Sequence, residues 1–240
     1  MINIIYSISI SILFFSCTSM NNTNGTIFKT SQNMVLIDSM YNARLEKWAK
    51  PYKITDVFTS YGRTNIIISG KEECPNLLLI PAMGVTATMW MANIQEFSKK
   101  YRVYSINTIG DIGKSEYLIA SLSNYPKDGK QYAKWLLELC DSLNIKKTIV
   151  IGASMGGWIA LNFASYYPEK TEKLILLAPM GLKPNYTLVM GKLLKVLLNP
   201  SDKNKKDLIA FALGNNDAVV KDMYNYMYIA TNCSPKIMQT

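Results

Sequence analysis

Histidine is missing from all 240 residues. Without an imidazole, neither a Ser-His-Asp triad nor a Cys-His pair can form within this sequence, and the His-containing metalloprotease and zinc-finger motifs are excluded with them. Charge is also scarce, at 18% of residues, and mostly of one sign: 26 Lys and Arg face 17 Asp and Glu, for a formal charge of +9. That excess favours acidic surfaces nonspecifically. No helix-turn-helix, RNP or zinc signature accompanies it, so no nucleic-acid partner is expected. Cysteine is sparse as well. Once Cys17 is set aside, Cys74, Cys140 and Cys233 are an odd number without close spacing and define no disulfide framework. Cys140, after Leu136, Leu137 and Leu139, reads as a small buried hydrophobe. What is abundant is apolar: 49% of a chain long enough to bury about 70% of its extended surface in one sizeable core.

Runs long enough to cross a bilayer are absent too. Residues 1 to 16, MINIIYSISISILFFS, are uncharged and mostly apolar but short for a crossing. They read as the h-region of an export signal that lacks the usual positive n-region. The segment ends in FFSC, and a small residue before Cys17 resembles a bacterial lipoprotein lipobox, with Phe14 where an aliphatic residue is usual. On that reading residues 1–17 are signal, Cys17 is the lipidated N-terminus of an exported, membrane-anchored protein, and the polar stretch 18–33 is its tether. The alternatives are an ordinary export signal, yielding a soluble periplasmic or extracellular protein, or an apolar N-terminal helix. The lysines at 192, 195, 203, 205 and 206 then form either a solvated surface or a basic face toward an anionic leaflet.

Hydrophobic periodicity places the elements. Met34, Ile37, Tyr41, Leu45 and Trp48 recur at three and four residues, which predicts a helix over 34–49 closed by Pro51. The β-rich runs at 54–59 and 65–69, joined by Tyr61-Gly62-Arg63, predict a hairpin. LLLI at 77–80 is short and continuously apolar, as in a strand buried on both faces. A helix over 90–99, a strand over 101–106, a helix over 129–142, a strand over 147–152, a helix over 156–166 and a strand over 173–178 follow. That alternation implies a mostly parallel sheet with helices on both faces. After Pro179 the pattern becomes helical without strands, over 186–198, 205–214 and 217–230, and reads as an insertion or lid. The strand KLILLA at 173–178 would then lie at a sheet edge unless something pairs with it.

The chemistry sits at 149–160, IVIGASMGGWIA, which contains G-x-S-x-G as Gly152-Ala153-Ser154-Met155-Gly156 between a strand and a helix. The chain must turn so sharply there that Ser154 is strained, and small residues two before and two after it relieve contact between strand and helix. Ser154 is the expected nucleophile, and the helix start beneath it favours developing negative charge. The Met155 N–H is one expected oxyanion donor. Met83, in Pro81-Ala82-Met83-Gly84 after the first buried strand, supplies the other by position; its side chain is expected in the acyl pocket or the core.

These segments together resemble an α/β-hydrolase of the bacterial esterase or lipase-like type, from about residue 34 onward. The resemblance is carried by LLLIPAMGVTATMW, YRVYSINTIGDIGKSE, the run from YAKWLLELC through IGASMGGWIA to SYYPEK, and TEKLILLAPMG. It implies an α/β-hydrolase fold with a core over 34–182 and a helical lid or cap over 183–240. It also implies hydrolysis of a small-molecule ester or acyl substrate through an acyl-Ser154 intermediate, with no cofactor and no metal. Two positions depart from the family pattern: Pro81-Ala82 stands for His-Gly, and Asn107 for an Asp. Asp111, in the turn Gly110 to Ser115, is expected to organise that loop and not to serve as the triad acid.

In the resembled family the acid and the histidine follow strands seven and eight, beyond the lid. This sequence stops within or just after the lid, so neither residue can be carried over. Lys192 or Lys195 could serve as a base only if desolvated beside Ser154, and both fit an amphipathic helix surface better. Three readings follow: a serine hydrolase whose chain is truncated, an inactive binding or structural protein derived from the fold, and an enzyme completed by a partner chain or an unusual base.

Overall fold

The computed structural model of the chain describes residues 31–117, 125–181, 191–192, 194–196, 198–199, 201–213 and 224. Its core is a mostly parallel sheet with helices on both faces, the architecture that the alternation of periods implies. Helix α1 (Ser31–Glu46) leads into strands β1 (Tyr52–Thr59), β2 (Gly62–Ser69) and β3 (Asn76–Ile80). A 3-10 turn (Ala87–Trp90) runs into helix α2 (Met91–Phe97), followed by β4 (Arg102–Ile106) and β5 (Glu116–Tyr117). Helix α3 (Gly129–Ser142), β6 (Thr148–Ala153), α4 (Met155–Tyr166) and β7 (Thr171–Leu177) complete the core, and α5 (Asp202–Leu213) lies in the region read as a lid.

The seven strands form one sheet in the order β1-β2-β4-β3-β6-β7, with β5 pairing to β2. Strands β4, β3, β6 and β7 are parallel, while the β1–β2 hairpin and β5 add the antiparallel side. The hairpin turns one step earlier than the glycine suggests. Thr59 pairs with Gly62, so Ser60 and Tyr61 make the turn and Gly62 is already in the strand. The sequence gives no warning of β5, whose two residues are too few to show a period.

Successive residues of the central strands enter opposite sides of the sheet, as the period of two demands. Ile66, Ile68, Leu78, Ile80, Tyr104, Ile106 and Val150 join one apolar cluster, and Ile67, Leu77, Leu79, Val103, Ile149 and Ile151 join the other. The first is covered by α3 and α4 through Trp135, Leu136, Leu139, Ile159 and Phe163. The second is covered by Tyr41 and Leu45 of α1, with Trp48, Trp90 and Ile94. Met34, read as part of the buried face of α1, is exposed at the first turn. Helix α3 starts where its sequence requires: the Asp128 side chain accepts the Gln131 N–H at 2.8 Å and caps it. Cys140 is fully buried and unpaired, and burial pushes its thiol up to about 12, so it serves as a small apolar residue.

Candidate active site

Strand β6 is buried at every residue and passes directly into α4, leaving Ser154 alone between them. Ser154 adopts φ 50° and ψ −115°, a left-handed backbone that a residue with a Cβ takes only under strain. It is also exposed where Gly152, Ala153 and Gly156 are buried. The turn is therefore sharp enough to lift the hydroxyl off the sheet. The two glycines make room for it. A Cβ on Gly152 would lie 2.2 Å from the Gly156 carbonyl oxygen, and one on Gly156 would lie 2.3 Å from the Pro81 carbonyl oxygen.

That second contact joins two parts of the site. Helix α4 starts against the end of β3 and the loop that follows it, and Ile80 pairs with Gly152 across the sheet. Met155 is the first helical residue, so its N–H is one that a helix leaves without an internal acceptor. In the loop, the Ala82 N–H donates to Met89 Sδ at 3.3 Å, and the Gly84 N–H donates to both Asp111 carboxylate oxygens at 3.0 and 2.9 Å. Between them, the Met83 N–H has no acceptor among the described residues. Gly84 has φ +76°, the left-handed conformation that suits glycine at a reversal. The Met83 side chain is 40% exposed, so it lies outside the core.

The loop hangs from the segment after β4. Asn107 Oδ1 accepts the Ala87 N–H at 2.9 Å, and its Nδ2 donates to Asn65 Oδ1 at 3.0 Å and to the Tyr41 hydroxyl at 3.3 Å. The Ser115 hydroxyl donates to the Asn107 carbonyl at 2.6 Å and accepts the Asn65 N–H at 2.9 Å. The fully buried Asn107 thus fills its place with every polar atom used. Asp111 also accepts the Ile112 N–H at 2.7 Å. Burial pushes its carboxyl up to about 7, while the Gly84 and Ile112 N–H donors pull it the other way.

Of the two lysines weighed as bases, Lys192 sits 5.0 Å above the Phe211 ring. A cleft of about 520 Å³ lined by Val35, Asp38, Asn42 and Glu46 runs along the outer face of α1 and shares no residue with the elbow. No group of residues that could hold a metal ion occurs among the described residues, and no helix among them is long and apolar enough to cross a membrane. Cys17 and Cys233 lie outside the described residues.

Comparison with known proteins agrees with this fold. Residues 75–217, more than half of the chain, match a family described as alpha/beta hydrolase fold. An uncharacterized carboxylesterase, nap, of Bacillus subtilis is 36% identical over 160 residues, covering 67% of this chain and 52% of that protein. The carboxylesterase YbfK of the same organism is 31% identical over 139 residues, covering 58% and 45%. This chain therefore spans about half the length of the curated relatives it matches. Among solved structures, the naproxen esterase (carboxylesterase NP) of Bacillus subtilis superposes with a TM-score of 0.68 at 27% identity, over 83% of this chain and 69% of that one.

Proposed function

The chain belongs to the alpha/beta hydrolase fold family, and from that premise we propose that it is a serine hydrolase for small-molecule esters or related acyl compounds, acting through Ser154. The observation that carries this reading is the strained, exposed Ser154 at the junction of β6 and α4. The carboxylesterase names of the Bacillus relatives support the substrate class.

In this reaction Ser154 Oγ attacks the ester carbonyl carbon, forming a tetrahedral oxyanion held by the Met155 and Met83 N–H groups. The C–O bond to the alcohol then breaks, and the alcohol leaves with the proton that the serine gave up. Water cleaves the acyl-serine, releases the acid and restores Ser154. No cofactor enters these steps. The serine proton needs a base, and no histidine among the 240 residues supplies one.

The missing histidine also supports an alternative reading, an inactive fold that binds acyl compounds without cleaving them. Hydrolysis of p-nitrophenyl acetate by the purified 240-residue chain separates the two. The first reading expects very weak turnover that Ser154→Ala abolishes. Binding without any Ser154-dependent turnover supports the second. Export and lipidation at Cys17, with the basic lid residues reinforcing a single lipid anchor, complete the proposal. Cells expressing the chain and its Cys17→Ser variant should differ in membrane partition; equal solubility of both contradicts the lipid anchor.

A further inference from the structure

We propose that Asp111 is a positioning residue for the oxyanion loop: by holding the Gly84 N–H, its carboxylate keeps the adjacent Met83 N–H available as the loop's donor. This rests on the reading of Ser154 as nucleophile and Met83 as the second oxyanion donor.

Three consecutive N–H groups, at residues 82, 83 and 84, follow β3 in a loop without regular structure. The outer two are taken by side chains from elsewhere in the chain, Met89 and Asp111, and the middle one has no acceptor among the described residues. A thioether is a weak acceptor, whereas a carboxylate is the strongest that a side chain offers. Asp111 therefore does most to fix the plane of the peptide between Met83 and Gly84. That matters because the Met83 N–H sits one peptide upstream, in a loop whose next anchor is Ala87 on Asn107.

The carboxylate is itself held in place. Its own next residue, Ile112, donates to Oδ1 at 2.7 Å, and the Asp111 N–H donates to the Thr108 carbonyl at 3.2 Å and closes the turn. Both oxygens lie within 3.0 Å of the Gly84 nitrogen, so the Asp111 turn and the oxyanion loop move as one unit. A residue that only stabilised its own turn would need the Ile112 contact alone. The contact to Gly84 spans 27 positions in sequence and reaches the one loop whose geometry the oxyanion depends on.

The test compares the full chain with Asp111→Ala, Asp111→Asn and Ser154→Ala. Each is incubated with p-nitrophenyl acetate, and acylation of Ser154 is followed by intact mass against ester concentration, alongside amide exchange at Met83 and Gly84. Asp111→Ala is expected to slow acylation about 100-fold, the scale of one lost oxyanion donor, with the half-saturating ester concentration unchanged. Asp111→Asn recovers part of the rate, because its amide oxygen can still accept the Gly84 N–H. Exchange at Gly84 accelerates at least tenfold in the alanine variant while amides of β3 and β6 keep their protection. Wild-type acylation rates, or an unchanged Gly84 amide, in a folded Asp111→Ala protein would overturn the proposal; should that variant not fold, the same two readings on Asp111→Asn decide. If Ser154 takes no acyl group in the wild-type chain, the nucleophile reading has failed, and Gly84 exchange alone then decides whether Asp111 clamps the loop.

Discussion

Ser154 donates its N–H to the carbonyl of Leu177 at 2.9 Å, at the end of the neighbouring strand β7. Its own carbonyl accepts the Met180 N–H at 2.9 Å and the Trp158 N–H at 3.1 Å. The strained turn is thus tied on both sides by backbone that follows β7 or continues into α4. A left-handed serine persists only where such bonds over-determine it.

Relief of that strain is measurable. A backbone outlier of this kind costs about 1–3 kcal/mol, and glycine returns about 0.5–1 kcal/mol of that to unfolded-state entropy. Ser154→Gly is expected to raise unfolding stability by about 1 kcal/mol in urea, and Ser154→Ala to leave it unchanged. A glycine variant less stable than wild type would mean the turn is relaxed.

Asn107 is where the chain departs from the aspartate usual in the resembled family. Its Nδ2 faces two oxygens, Asn65 Oδ1 and the Tyr41 hydroxyl. Asn107→Asp would set a buried carboxylate against the Asn65 oxygen, and is expected to cost about 2 kcal/mol in urea unfolding. A variant as stable as wild type would show that the amide network can reverse its polarity.

The same residue shows how far the sequence could be read. The elbow was legible because a buried strand, G-x-S-x-G and a helix adjoin within a dozen residues, and each local signal agrees with the others. The order of strands and helices was legible from period alone. At Asn107 the sequence shows a departure from the resembled family but not its consequence: Asn107 Oδ1 accepts the Ala87 N–H and supports the loop after β3. Asp111 read as an organiser of its own turn, and its reach to Gly84 could not be seen. Contacts between segments 27 positions apart leave no period in the sequence. Strand β5 was missed for the same reason, since Gly62–Tyr117 and Arg63–Glu116 pairing is wholly nonlocal.

Asp111 also predicts a dependence on pH. Burial raises its folded value to about 7 from an ordinary 3.8. Between those values the folded chain holds a proton that the unfolded chain releases, so stability falls as pH rises from about 4 to about 7 and then levels. Tyr125 and Tyr132, which face it, do not titrate in that window: burial pushes Tyr125 to about 12 and Tyr132 well above 10.0. The difference in thermal midpoint between wild type and Asp111→Asn, followed from pH 4 to 8, should decline through that range. A difference that stays flat or rises contradicts the buried setting of the carboxyl.

Strand β7 pairs only with β6 among the described residues, and Ile175 and Leu177 on one of its faces are exposed. An apolar strand edge of this kind is a template for association. The purified chain is expected to self-associate at micromolar concentration, and Ile175→Lys with Leu177→Lys to reduce that association in sedimentation velocity. A monodisperse wild-type monomer would count against it.

Covalent labelling tests most directly whether Ser154 is the nucleophile. The purified chain and Ser154→Ala are held for hours with an excess of an alkyl fluorophosphonate, digested with trypsin and mapped by mass spectrometry. The expected result is a single phosphonyl adduct at Ser154, on the peptide following Lys147, and none in the alanine variant. Adducts at other residues only, or equal labelling of the two proteins, would contradict the assignment.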